Sequence, residues 1–264
     1  MNLTDTHCHI HSLEFFTPEH AESALKKARE DGVGRILCVA TSLEDSRATI
    51  AFAHAHPENC WATVGIHPHE AANLTEQQIA QQLVELAELA KDPKVVGVGE
   101  AGFDFYYNDR KEVGAKQEQL LRGQIEIALA NDLPMSFHVR EGFSEFWPVF
   151  ESYKNIRGVL HSFTDSAVNA DKALQHKLYF GINGIATFTT HEWQRELFRT
   201  LPIESILIET DSPFLTPRPK RGNINLPENV IYITKFLAEL RGEDESTIAR
   251  FTEANAGKVF RFFS

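Results

Sequence analysis

Short apolar runs alternate with longer amphipathic ones along the whole chain. The short runs cover residues 2–7, 35–41, 60–66, 95–99, 134–138, 158–161, 178–181 and 205–209. They are rich in β-branched residues and lack a polar alternation, as expected of parallel strands buried on both faces. Between them, residues 18–31, 43–56, 75–91, 112–131, 142–154, 166–176 and 191–200 place apolar side chains three and four apart, the helical spacing. Two further helical stretches, 227–241 and 246–262, close the sequence. Thr17-Pro18 and Asn73-Leu74-Thr75 read as helix starts.

Eight strand–helix units in alternation predict an α/β fold, a single (β/α)8 TIM-type barrel with an extra C-terminal helix. The chain of 264 residues suits one such domain, which typically needs about 250 residues. No linker or low-complexity stretch divides it, so residues 1–264 read as a single domain. The competing doubly wound sheet usually carries a glycine-rich turn after its first strand. Here the first strand ends in Asp5-Thr6-His7-Cys8-His9, without glycine.

Composition changes this picture only at the edges. No apolar run approaches the roughly 18–20 residues needed to span a bilayer, and the N-terminus has no basic segment followed by an apolar one. The cysteines, Cys8, Cys38 and Cys60, are odd in number and lie in apolar runs, which fits a reducing cytoplasm better than a disulfide framework. The net charge of −11 argues against a broad electrostatic grip on duplex DNA. It leaves room for a nuclease, because divalent cations supply local positive charge. Nothing in the sequence demands a protein partner or more than a monomer.

The histidines carry the chemistry. His7 and His9 are two apart on a strand, so both side chains point one way, and two imidazoles on one face can chelate a metal ion. Other strands end on Glu100, His138, His161 and the pair Glu209 and Asp211. In a parallel barrel the C-terminal strand ends converge on one mouth. Six groups, His7, His9, Glu100, His138, His161 and Asp211, are therefore expected to meet there as metal ligands. Six are too many for one catalytic ion that keeps an open position and fit two divalent ions, with Glu100 as the bridge. Imidazole with carboxylate suits Zn²⁺ or Mn²⁺, and carboxylate with water suits Mg²⁺. Two ions can activate a water and clamp a phosphoryl oxygen.

The runs Asp5-Thr6-His7-Cys8-His9, Gly65-Ile66-His67-Pro68-His69 and Gly99-Glu100-Ala101-Gly102-Phe103-Asp104-Phe105, followed by His138-Val139-Arg140, His161-Ser162-Phe163 and Glu209-Thr210-Asp211-Ser212-Pro213-Phe214-Leu215, resemble the TatD family of metal-dependent deoxyribonucleases. The likeness extends from residue 3 to the C-terminus. It implies an amidohydrolase-type barrel with two metals. His7, His9, Glu100 and Asp211 would hold one ion; Glu100, His138 and His161 would hold the other. It also implies nuclease activity, often as a 3′-exonuclease, with single-stranded DNA or DNA ends as substrate and Glu100 and Asp211 as catalytic carboxylates. Two departures stand out: Ser162 occupies a position where many relatives have cysteine, and Asn225-Leu226-Pro227-Glu228 replaces the family's Asn-Glu-Pro.

Further residues are expected around the centre. Asp5 would orient a ligand imidazole, and His67 would face the site while His69 caps a turn. Glu209 lies one layer deeper than Asp211, and Ser162 is placed to reach a phosphate oxygen. Arg140 suits bidentate phosphate recognition, and Arg218, Lys220 and Arg221 form a basic run on the rim. Of Phe103, Phe105, Tyr106 and Tyr107, at least two are expected in the core, and exposed ones could stack on bases. The alternative on the same barrel is hydrolysis of a small ester, amide or lactone; a non-catalytic metal-binding scaffold is disfavoured by the number of ligands.

Overall fold

The computed structural model describes residues 2–262. Its eight strands form one parallel sheet in chain order, β1 to β8. They are β1 (Leu3–Cys8), β2 (Val33–Cys38), β3 (Cys60–Val64), β4 (Val95–Asp104), β5 (Met135–Arg140), β6 (Gly158–Leu160), β7 (Tyr179–Ile182) and β8 (Ile206–Ile208). Around them lie α1 (Pro18–Glu30), α2 (Leu43–Ala55), α3 (Glu76–Leu89), α4 (Arg110–Ala130), α5 (Phe143–Glu151), α6 (Ala167–Gln175), α7 (Ile185–Phe188), α8 (Glu192–Thr200), α9 (Val230–Arg241) and α10 (Glu245–Phe260). This is the expected (β/α)8 barrel with additional C-terminal helical structure. No helix among the described residues is long and apolar enough to cross a membrane.

The chain divides into two compact units, one of residues 2–38, 58–60 and 162–261, the other of residues 39–57, 61–161 and 262. In the first, β1 pairs with β2 and β7 with β8, and a parallel bridge joins Cys8 to Ser212. Thr6 Oγ1 donates to Ile208 O at 3.0 Å, tying the start of the barrel to its last strand. Helix α10 backs this seam: Asn255 Nδ2 donates to Ile203 O and Ile206 O. In the second unit, β3 to β6 pair in order, and the longest helix, α4, lies against β4.

Local sequence explains the element ends. Thr17, Ser42, Thr75 and Ser166 accept hydrogen bonds from main-chain N–H groups in the first turns of α1, α2, α3 and α6. Thr75 and Gln78 form a reciprocal capping box. Gly242, left-handed at φ 69°, ends α9.

Two strand ends and one added helix bear on the site. β4 continues to Asp104 rather than stopping at Gly99, and β5 continues to Arg140. Gly102 permits this: at φ +155°, a side chain there would run into His138 O, so the two strands can stay paired beyond the point where the apolar run ends. Finally, a one-turn helix, α7, follows β7; it is too short to produce a helical periodicity.

Candidate metal centre

In the first unit His7, His9 and Asp211 form a cluster of potential ligand atoms. His7 Nε2 and His9 Nε2 lie 3.7 and 3.4 Å from Asp211 Oδ1. The two imidazoles are edge-to-face, 5.2 Å between centroids, at alternate positions across the end of β1. Asp211 reaches them from the turn after β8 with a left-handed backbone, φ 57°, a conformation that Asp tolerates better than most residues. Main-chain bonds lock the turn to β1: Asp211 N–H donates to His7 O at 2.9 Å and His9 N–H to Ser212 O at 2.7 Å.

Two buried polar side chains brace this turn. Asp5 accepts from Thr210 N at 2.8 Å, Thr210 Oγ1 at 2.5 Å and His7 N at 3.3 Å. It thus holds the main chain around His7 rather than the imidazole. Burial pushes its carboxyl up to about 8 despite those donors. Asn225, fully buried, donates to Thr210 O and Phe214 O and accepts no less usefully: its own carbonyl receives Ser212 Oγ at 2.8 Å. Asn225 was visible in the sequence only as part of a motif that departs from the family, and its clamping role was not read there. Glu228 lies half-buried near Lys27 and Asp31, with burial raising its carboxyl.

Glu209 is buried as expected, and its Oε1 accepts from Ser162 N at 2.7 Å. Gly181 makes room for it, because a β-carbon there would lie 2.1 Å from Glu209 Oε2. The Ser162 hydroxyl accepts from Asn183 Nδ2 at 2.8 Å. Along the basic run, Arg221 stacks on Phe188 at 4.0 Å and Lys220 stands 5.8 Å from the Tyr232 ring; Arg218 is exposed, its main-chain N–H bonded to Thr187.

In the second unit Glu100, His138 and His161 form a tighter cluster. Glu100 Oε1 lies 2.8 Å from both His138 Nδ1 and His161 Nε2, and those two nitrogens are 3.2 Å apart. Three donors converging on so small a volume, with Glu100 only 4% exposed, match the donor chemistry of a divalent cation site. Glu100 is held there by its main chain, its N–H donating to Ala40 O. Gly65 passes so close that a β-carbon would overlap the Gly99–Glu100 peptide.

A residue the sequence reading left unassigned completes this cluster. Asp104 accepts from His138 Nε2 at 2.9 Å and lies 3.1 Å from His69 Nε2. Burial works to raise the Asp104 carboxyl, but the hydrogen bonds from His138 and His69 prevail and hold it well below the usual carboxylate range. Burial likewise opposes charge on His138, and the bonds to Asp104 and Glu100 outweigh it, so its pKa is raised. The signal was parity: 100, 102 and 104 share one face of a strand.

His67 faces this cluster, its Nε2 3.8 Å from Glu100 Oε1 and its ring 4.4 Å from that of His138. It is also the cap of the following turn: its Nδ1 accepts from His69 N at 3.1 Å. The capping role expected of His69 thus belongs to His67. A main-chain N–H cannot accept, so Nδ1 is the bare nitrogen and the proton of the neutral ring sits on Nε2. Burial, then the neighbouring His138, lower the His67 pKa well below its ordinary value.

Helix α4 holds the end of β4 and the segment after β3 through two buried glutamines. Gln117 exchanges hydrogen bonds with the main chain of Asp104 and donates to Pro68 O. Gln124 does the same with Ile66, accepting its N–H at 2.8 Å and donating to its carbonyl at 3.0 Å. Of the aromatics after Glu100, Phe103 and Phe105 are buried while Tyr106 and Tyr107 are exposed, the division expected. Arg140 stacks on Tyr106, 3.5 Å from its centroid.

A parallel barrel with two distinct histidine–carboxylate clusters defines a metal-dependent hydrolase. The family described as TatD related DNase matches residues 4–261, and the chain belongs to it. It is 32% identical over 264 residues to an uncharacterized metal-dependent hydrolase, YabD, of Bacillus subtilis, covering 98% of this chain and 99% of that protein. It is 34% identical over 247 residues to the 3′-5′ ssDNA/RNA exonuclease TatD of Cronobacter sakazakii, covering 90% and 91% of the two chains. The crystal structure of YJJV, a TatD homologue from Escherichia coli, superposes with a TM-score of 0.87 at 29% identity, covering 98% of each chain.

Proposed function

We propose that this protein is a divalent-metal-dependent deoxyribonuclease that shortens single-stranded DNA from its 3′ end. The observation that carries the reading is the Glu100–His138–His161 cluster, whose ligand atoms converge within 2.8–3.2 Å of one another. The exonuclease name of the Cronobacter relative supports the choice of bond and polarity.

His7, His9 and Asp211 would hold one ion and Glu100, His138 and His161 another. Zn²⁺ and Mn²⁺ suit mixed imidazole and carboxylate donors, and Mg²⁺ suits the carboxylates together with water. Such ions supply charge that polarises the phosphodiester and activates water. Asp211, the one carboxylate of the His7–His9–Asp211 cluster, orients the attacking water and takes its proton. His67 presents an uncharged N–H to the Glu100 cluster, suited to a phosphoryl oxygen. Arg140 has no carboxylate partner among the described residues and is free to pair with a phosphate. Arg218, Lys220 and Arg221 supply further positive charge along the strand. The three cysteines, all buried thiols, support a reducing, cytoplasmic setting.

The test is cleavage of 5′-end-labelled single-stranded DNA by wild type and Glu100→Ala with Mg²⁺, Mn²⁺ or Zn²⁺. A ladder of shortening products from wild type alone is expected. No cleavage with any of the three ions would overturn the nuclease reading and turn attention to small esters, amides or lactones.

A further inference from the structure

Tyr106 and Tyr107 are adjacent in sequence, exposed by 51% and 71% respectively, and packed edge-to-face, with centroids 4.6 Å apart at 88°. Two large exposed aromatics side by side are uncommon on a surface that has no use for them. Neither is on a loose tip. Tyr106 N–H donates to Asp104 Oδ1 at 2.8 Å, and Phe105 N–H to Arg140 O at 3.1 Å. The other oxygen of Asp104 receives His138 Nε2. One carboxylate therefore fixes the tyrosine pair relative to the Glu100–His138–His161 cluster. Arg140 covers Tyr106 and stands 5.7 Å from Tyr107; His69 meets Tyr107 edge-on at 5.7 Å.

We propose that Tyr107 is the stacking platform for an unpaired nucleobase, with Arg140 taking the phosphate of the same nucleotide. The inference rests on the nuclease reading and adds what the site selects. A nucleotide offers a flat π-face and an anion a few ångströms apart. The structure offers a mostly exposed aromatic ring and a guanidinium without a carboxylate partner at comparable separation. Base–aromatic stacking tolerates any base, so the platform selects for an unstacked strand end rather than for sequence. A paired base in a duplex keeps both faces against its neighbours and cannot use it.

The experiment uses an oligonucleotide carrying 2-aminopurine at the terminal position, bound to the full chain in Ca²⁺, and reads both fluorescence quenching and affinity. Wild type should quench the probe, as stacking on an aromatic does, and Tyr107→Phe should match it. Tyr107→Ala should lose the quench and bind about ten-fold more weakly, the lower range of stacking on one side chain. With a terminal abasic nucleotide, wild type and Tyr107→Ala should bind alike. Equal quenching by Tyr107→Ala, or none by wild type, would overturn the platform. Quenching without cleavage in any activating metal would overturn the nuclease reading and leave the platform standing.

Discussion

Asp104 Oδ2 accepts from His138 Nε2 at 2.9 Å while the opposite ring nitrogen, Nδ1, faces Glu100 Oε1 at 2.8 Å. The imidazole is thereby fixed in rotation, with one nitrogen given to an orienting carboxylate and the other presented to the candidate ion. This is the arrangement by which a carboxylate sets the tautomer and basicity of a metal-binding histidine.

Removing that orienting group should weaken metal binding before it weakens chemistry. Asp104→Ala is expected to lower metal affinity by about 10–100-fold, with much of kcat recovered at saturating metal. Metal titration followed by activity, with calorimetry alongside, separates the two. Unchanged affinity would remove Asp104 from the centre.

His67 presents Nε2–H, because its Nδ1 is occupied by the His69 N–H. His67→Ala should therefore keep the full metal content of wild type while kcat falls by about 10²-fold, the scale for losing one donor to developing negative charge. Metal analysis of the purified variant decides between roles: loss of an equivalent of metal would make His67 a ligand instead.

Asp5 links stability to pH. Its folded value of about 8 lies above the ordinary 3.8, so the folded state binds the proton more tightly than the unfolded chain. The associated stability is complete below pH ~4 and is lost as pH rises through about 8, at up to about 1.4 kcal/mol per pH unit. In chelator, Asp5→Asn should gain on wild type steadily from pH 5 to pH 8 in urea unfolding. A constant difference across that range would contradict the assignment.

Gln124 bonds both main-chain groups of Ile66 in a fully buried position. Gln124→Leu keeps the bulk and orphans those groups, at a cost of about 1–3 kcal/mol. Denaturant unfolding should register this as a lower midpoint with an unchanged slope.

Much of this was legible because strands impose simple rules. His7 and His9 share a face by alternation alone, and an imidazole or carboxylate at the end of an apolar run identifies a strand's functional end, as at His138 and His161. Asp104 was missed for a related reason. The apolar run stops at Gly99, but hydrogen bonding to β5 carries the strand on to Asp104, and the parity of 100, 102 and 104 counts only once that pairing is known. Gln117, Gln124 and Asn225 act through main-chain groups of distant residues, so their residue types alone look like those of any solvated polar side chain. Asp5, expected to orient an imidazole, instead holds the main chain of His7 and Thr210.

Gln117 and Gln124 are seven residues apart on α4, about two helical turns or 10 Å. The segment carrying His67 and the end of β4 carrying Asp104 are therefore gauged against the pitch of an outer helix. Deleting one residue between the two glutamines would swing the second by about 100° and strand one of these segments without touching a single candidate ligand. Residues 118–123 thus tolerate substitution on their exposed side far better than any change in their number.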